Sequence, residues 1–223
     1  MARRISDRLG DRLRGAWLGG SAALGDFAPQ HSDLDIQAVA TEIVPEPDRR
    51  ELALALSHEA LPCPARGLEF VLYAEPDLHR ADGPAFQLNL NTGARMARHV
   101  ALDPAEDPRF WFVIDVAIAR SHGRRLAGAP PELVLPELPR ELVLRALLES
   151  IAWHRRRDAP NADAVESAGR AWAWATDGRW RPKREAVAWA RDRAADQKLV
   201  RAAEAALSGQ LAATGPARPA SGG

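Results

Sequence analysis

Residues 17–40 read WLGGSAALGDFAPQHSDLDIQAVA, and the order of their parts decides the fold. A short apolar run reaches Gly20-Ser21, a glycine-punctuated loop through Gly25 follows, and a second β-like run opens with Ser32-Asp33-Leu34-Asp35. Alternate side chains of a strand share a face, so Asp33 and Asp35 are expected about 7 Å apart along one side. Two carboxylates beside a glycine turn, whose amides can wrap phosphate oxygens, suit the holding of Mg²⁺ on a nucleotide triphosphate. Singly, a Gly-Ser turn is ordinary punctuation and an Asp-x-Asp pair an ordinary solvated strand start. Their order and spacing carry the reading.

The pattern G-S-x(3)-G-x(6)-S-D-x-D resembles the nucleotidyltransferase superfamily of polymerase-β type, with Gly20, Ser21, Gly25, Ser32, Asp33 and Asp35 on the motif positions. The fold class it implies is α+β: an N-terminal nucleotidyltransferase domain with a small mixed sheet flanked by helices, then an all-helical bundle.

Composition narrows the partners. At 223 residues the chain can bury a sizeable core and hold one large or two small domains. Lys+Arg and Asp+Glu both number 30, so no global basic field favours a polyanion, and no nucleic-acid partner is expected. The single Cys63 has no partner for a disulfide or a structural zinc site and reads as a small apolar filler. The opening MARRISDRLGDRLRG lacks the apolar core of a secretion signal, and no run approaches ~18 apolar residues. The expectation is a cytoplasmic, monomeric protein with no membrane partner.

Periodicity orders the elements. Ile5, Leu9 and Leu13 recur every four residues, as in an opening amphipathic helix. Residues 16–18 then read as a strand, 34–40 as a second, 47–61 as a helix opened by Pro47, and 67–74 (GLEFVLYA) as a third strand. Its alternation puts Glu69, Val71 and Tyr73 on one face. Residues 86–91 alternate like a strand, and 110–122 read as a largely buried segment ending in a helix. The domain boundaries expected are 1–128, a four-proline linker at 129–139, a helical domain at 140–207 and a disordered tail at 208–223. Within the helical domain, Leu144, Leu147, Leu148 and Ile151 form one stripe, and Leu199, Val200, Ala203 and Leu207 another. Between them one helix ends at Gly178 and the next starts at Pro182.

Moving a nucleoside monophosphate from ATP to a hydroxyl requires clamped phosphates, a deprotonated hydroxyl and a stabilised leaving group. Asp33 and Asp35 are the natural metal ligands. Ser21 and the amides after Gly20 are placed to hold the terminal phosphates. Glu69 is the candidate third carboxylate, because a lone charge on an apolar strand is costly unless it is used. Facing the aspartates, it would either bind a second metal ion or act as general base; at a strand edge it would simply be solvated. The three are expected to converge at the carboxyl side of the sheet.

Three blocks sharpen the resemblance. LEFVLYA after SDLD is similar to the catalytic strand of streptomycin/spectinomycin adenylyltransferases, aminoglycoside-modifying enzymes. IDVAIARSHGRRLAGAPP resembles their helix-to-linker segment, and SAGRAWAWATDGRWRPKREAVAWA their helical-domain motif; the likeness runs from about residue 5 to residue 205. It implies ATP as co-substrate, two Mg²⁺ ions held by Asp33, Asp35 and Glu69, a catalytic base at Glu69, and nucleotide contacts from Gly20, Ser21, Ser32, Arg170 and Lys183. The implied acceptor is a small aminoglycoside-like molecule. Lys183 opens a helix, where a cation opposes the macrodipole unless it meets an anion. Arg170 lies between small residues that leave room for a ligand.

The acceptor side departs from the family. Asn91 stands where the family has a substrate-packing tryptophan. Pro160 replaces an acidic residue, with Asn161 and Asp163 as the nearest polar substitutes. Trp172, beside Arg170, is the tryptophan expected near a ligand. His31 reads as a loop histidine, and His154 to Arg157 as a solvated helix end. Two competing functions remain: the same chemistry on a protein hydroxyl, as in toxin–antitoxin nucleotidyltransferases, and a non-catalytic nucleotide-binding module.

Overall fold

The computed structural model describes residues 1–156 and 162–194, the side chains of residues 162 and 163 excepted. The expected stripe at 199–207, the tail at 208–223, and Arg157, Pro160 and Asn161 lie outside the described residues. The chain divides into two compact units, 1–150 and 151–223.

The first unit is a sheet with helices on both faces. Its strands are β1 (Leu13–Leu18), β2 (Leu34–Ala40), β3 (Leu68–Ala74), β4 (Phe86–Gly93), β5 (Met96–Ala101) and β6 (Arg124–Gly128). They stand in the order β5-β4-β3-β2-β1-β6. Only β2 and β3 run parallel; the other neighbours are antiparallel, which makes the sheet mixed, as expected. The parallel pair needs a crossover, supplied by α3 (Glu46–Leu56).

Alternation along the strands builds two cores. Ile36, Ala38, Phe70, Leu72, Leu88 and Leu90 pack with Ile5 and Leu9 of α1 (Ala2–Leu9) and Leu52 and Leu56 of α3. Trp17, Val39, Val71, Tyr73 and Phe86 face the other way, against Phe112, Val116 and Ala119 of α4 (Arg109–His122). Each fully buried large apolar side chain contributes ~1.5–3 kcal/mol, so α4 is firmly seated on its face. Val134 and Leu135, inside the proline-rich stretch read as a linker, are buried in that second core. The segment thus continues the sheet unit, and the division of the chain falls later, within α5 (Arg140–Arg155).

Two strands escape a sequence reading. β5 (MARHVA) has no clean alternation, and β6 (RRLAG) is mostly exposed. Both are edge strands, held by pairing with β4 and β1 rather than by a buried face of their own.

In the second unit, α6 (Ala162–Asp177) ends at Gly178, whose φ of 72° is the left-handed conformation of a helix stop, and α7 (Lys183–Ala194) follows Pro182. Among the described residues no helix is long and apolar enough to cross a membrane.

Candidate active site

The turn after β1 is built around its neighbour's carboxylate. The Gly19 amide donates to the Asp35 carbonyl at 2.7 Å, which locks the end of β1 to the start of β2. Gly20 has φ 50°, and a Cβ there would fall onto the Asp35 carboxyl group. Glycine is therefore required twice, for backbone hand and for space. From Gly20 the chain enters α2 (Gly20–Leu24), which Gly25 closes at φ 88°. The Ser21 hydroxyl makes no protein hydrogen bond among the described residues. Ser32 is engaged instead: its Oγ accepts from the Ala28 amide at 3.0 Å and closes the loop, leaving its proton to donate.

The parallel register sets the carboxylates. Asp35 on β2 stands directly beside Glu69 on β3, and Glu69 beside Asn91 on β4, on the face that α4 covers. These residues lie at the amino ends of β2 and β3, not at the carboxyl side expected. The reason is topological: the glycine turn leaves the carboxyl end of β1, and the antiparallel β2 begins there. Burial, then the charges of Asp35, Asp33 and Asp115, push the Glu69 carboxyl up to about 8, with Arg66 opposing. An acid held protonated by crowded carboxylates is one that a cation would convert into a base.

Asp33 has a different partner. Arg66 donates from Nε to Asp33 Oδ1 at 2.9 Å and from Nη2 to Oδ2, a two-pronged pair. Among the described residues no three His, Cys, Asp or Glu side chains are grouped closely enough to enclose a metal ion. The oxygen donors of Asp33, Asp35 and Glu69 have the right chemistry for a hard divalent cation. In this arrangement, however, the Asp33 carboxylate belongs to Arg66.

Two features stand outside the site residues that the sequence singled out. Asp115 lies on α4, close enough for its charge to raise both Glu69 and the buried Tyr73 hydroxyl. It hides in FWFVIDVAIA, and the signal that exposed Glu69, a lone carboxylate in an apolar run, was present there too. The second is an edge cluster. His99, cross-strand from Asn91, bonds Asp107 through Nε2 at 2.9 Å, and Asn89 Nδ2 donates to the same carboxylate at 2.9 Å. Nothing in the spacing of these three residues announces it.

The helical unit holds the other candidates. Lys183 opens α7 and meets Glu166 of α6 at 3.3 Å, so the anion that offsets its helix-dipole cost is within its own unit. The room beside Arg170 is used for packing: a Cβ at Gly169 would stand 3.3 Å from the Ala186 backbone, and Ala171 is buried. Trp172 meets Trp189 edge-on at 5.6 Å, and Trp189 carries the Arg193 guanidinium 4.1 Å above its ring centre. Asp163 falls in the first turn of α6.

The chain superposes on the crystal structure of the spectinomycin adenyltransferase AAD(9) from Enterococcus faecialis with ATP and spectinomycin, with a TM-score of 0.62. Identity is 16%, over 82% of this chain and 77% of that one. The fold is that of the adenyltransferase. A toxin–antitoxin structure with AMP-PNP also matches, at 17% identity over 70% of this chain and 91% of that one, but its TM-score is 0.31. No protein-family profile and no curated protein matches the sequence.

Proposed function

We propose that this chain is a nucleotidyltransferase that moves AMP from ATP to a hydroxyl of an aminoglycoside-like small molecule. The observation that carries the reading is the register pair Asp35–Glu69 beside the Gly20-Ser21 turn, on a fold shared with an adenyltransferase. The acceptor oxygen bonds to the α-phosphorus, the bond between that phosphorus and the bridging oxygen breaks, and pyrophosphate leaves. The acceptor proton passes to Glu69, whose raised affinity for protons suits a base.

Gly20, Ser21 and Ser32 are assigned to the phosphates. Asp33, Asp35 and Glu69 would hold Mg²⁺, which would screen phosphate charge and favour ionisation of Glu69. Arg170 and Lys183 are assigned triphosphate contacts by the family likeness, and Asn91, Asp163 and Trp172 the acceptor. The test is incubation with α-labelled ATP, Mg²⁺ and a panel of aminoglycosides and polyols. Adenylated product with matching pyrophosphate supports the reading. Label appearing only on protein would move the acceptor to a protein hydroxyl, and no label on any acceptor would reject transfer.

A further inference from the structure

The row of register partners that contains Glu69 does not stop at Asn91. Asp35, Glu69, Asn91 and His99 stand beside one another across β2, β3, β4 and β5, and cross-strand partners share a face. Neighbouring strands lie ~4.8 Å apart, so the His99 backbone is roughly 10 Å from that of Glu69. A molecule of two sugar-sized rings bridges such a distance.

The far end of this row is a built arrangement. Asp107, 9% exposed, meets His99 Nε2 at 3.1 Å through Oδ1 and 2.9 Å through Oδ2, and accepts from Asn89 Nδ2 at 2.9 Å. Asn89 is itself buried, one alternation along β4 from Asn91. Burying a carboxylate and an amide at a sheet edge is costly, and an apolar pair would fill that space without the penalty. A carboxylate only accepts, so Nε2 carries the ring proton and the neutral ring presents Nδ1 as a lone pair. The described residues give neither Nδ1 nor the Asn91 amide a hydrogen bond, and Nδ1 is not sealed from solvent. The ring is thus fixed at one nitrogen and open at the other.

The chemistry of the ligand follows. Nδ1 accepts, so its partner is a donor. Asp107 behind the ring and Asp35 along the row favour a donor of positive charge and repel a phosphate or carboxylate. We infer that His99 holds a protonated amine or guanidinium of the acceptor, with Asp107 and Asn89 as positioning residues that fix the ring, so that the acceptor lies along the row with its reacting hydroxyl at Glu69. This rests on the proposed transfer to a small acceptor and names the residue that meets the acceptor's far end.

The experiment titrates streptomycin and spectinomycin, two cationic probes, into the full chain in the presence of α,β-methylene ATP, which cannot transfer AMP. Affinity is read by calorimetry and the ring by nitrogen NMR, with each variant checked for an unchanged melt. Two substitutions separate the roles of the ring. The amide of His99→Gln reaches the place of Nε2 and keeps the Asp107 contact, whereas that of His99→Asn reaches the place of Nδ1 and loses it. Wild type is expected to carry the ring proton on Nε2 and to show an Nδ1 resonance that moves when a probe binds. His99→Gln is expected to bind the probe ~10-fold more weakly, with His99→Asn recovering part of the loss. Asp107→Asn should let the ring populate both tautomers, with a smaller loss of affinity. A pair that merely staples β5 to the loop before α4 predicts the reverse order, His99→Gln binding as wild type and His99→Asn more weakly. That order, an unmoved Nδ1 resonance, or a wild type that binds neither probe overturns the inference. The transferase reading fails separately: the expected order without any adenylated product would keep the role of His99 and reject transfer, whereas adenylated product with an unchanged acceptor KM in His99→Gln would do the reverse.

Discussion

Two carboxylates, one in each unit, are displaced in opposite directions. Glu69 in the sheet unit is raised to about 8 by burial among Asp35, Asp33 and Asp115. Asp177 in the helical unit is lowered to about 2, chiefly by hydrogen bonds from Arg181, which reaches both of its oxygens. The Asp177 pair closes the end of α6, next to Gly178. The Glu69 neighbourhood opposes stability: like charges crowd together, and Gln37 Oε1 and the Tyr73 hydroxyl are buried with no hydrogen-bond partner among the described residues. Structure is built where opposite charges meet. A polar group kept against its own electrostatics points to chemistry.

Breaking the Glu69 side of this contrast should have the largest effect. Glu69→Gln is expected to lower turnover by on the order of 10² or more while leaving ATP affinity within a few-fold, read by pyrophosphate release and ATP titration. If ATP binding falls as far as it does in Asp33→Asn, Glu69 is chiefly a metal ligand.

Next in size is Lys183, the helical-unit cation assigned to the nucleotide. A charged contact of ~1.5–3 kcal/mol corresponds to a roughly 10–150-fold rise in the ATP dissociation constant for Lys183→Ala. Unchanged ATP affinity would reduce Lys183 to its pair with Glu166 and detach the helical unit from the proposed chemistry.

pH sharpens the contrast further. The folded chain keeps a proton on Glu69 to about 8, against an ordinary 4.5, whereas the unfolded chain releases it early. Glu69 therefore stabilises the fold at low pH, and that contribution drains away as pH rises from 4.5 to 8. Thermal melts should show wild type losing ground to Glu69→Gln across this window. A constant difference would mean the carboxylates are less crowded than they stand.

Asp177 runs the other way, and its effect is the smallest. Its contribution is present above 3.8 and lost as pH falls through about 2. Asp177→Asn should cost under ~1 kcal/mol at neutral pH, because the pair is partly exposed. Melts near pH 2 should no longer separate it from wild type. A larger cost at neutral pH would assign Asp177 a role beyond closing the helix.

Much of this was legible in the residues because it is local. β2 appears over the residues that the alternation of LDIQAVA marks, and Gly20 sits where a left-handed turn is needed. The third strand and the Gly178–Pro182 break follow from equally local signals. Glu69 stood out as a charge on an apolar strand. Asp115 carries the same kind of signal, but which side of α4 faces the sheet is set by packing, so its approach to Glu69 is tertiary.

Sequence by itself determined the alternating faces, the glycine turn and the order of its carboxylates, since each depends on neighbours a few residues away. Tertiary structure alone decided that Arg66 takes both oxygens of Asp33, that His99 and Asn89 share Asp107, and that Val134 and Leu135 belong to the sheet's core. Those pairings join residues brought together by strand register and by the seating of α4. Register is a property of the whole sheet: it is set by which faces must be buried, and no stretch of chain contains it alone.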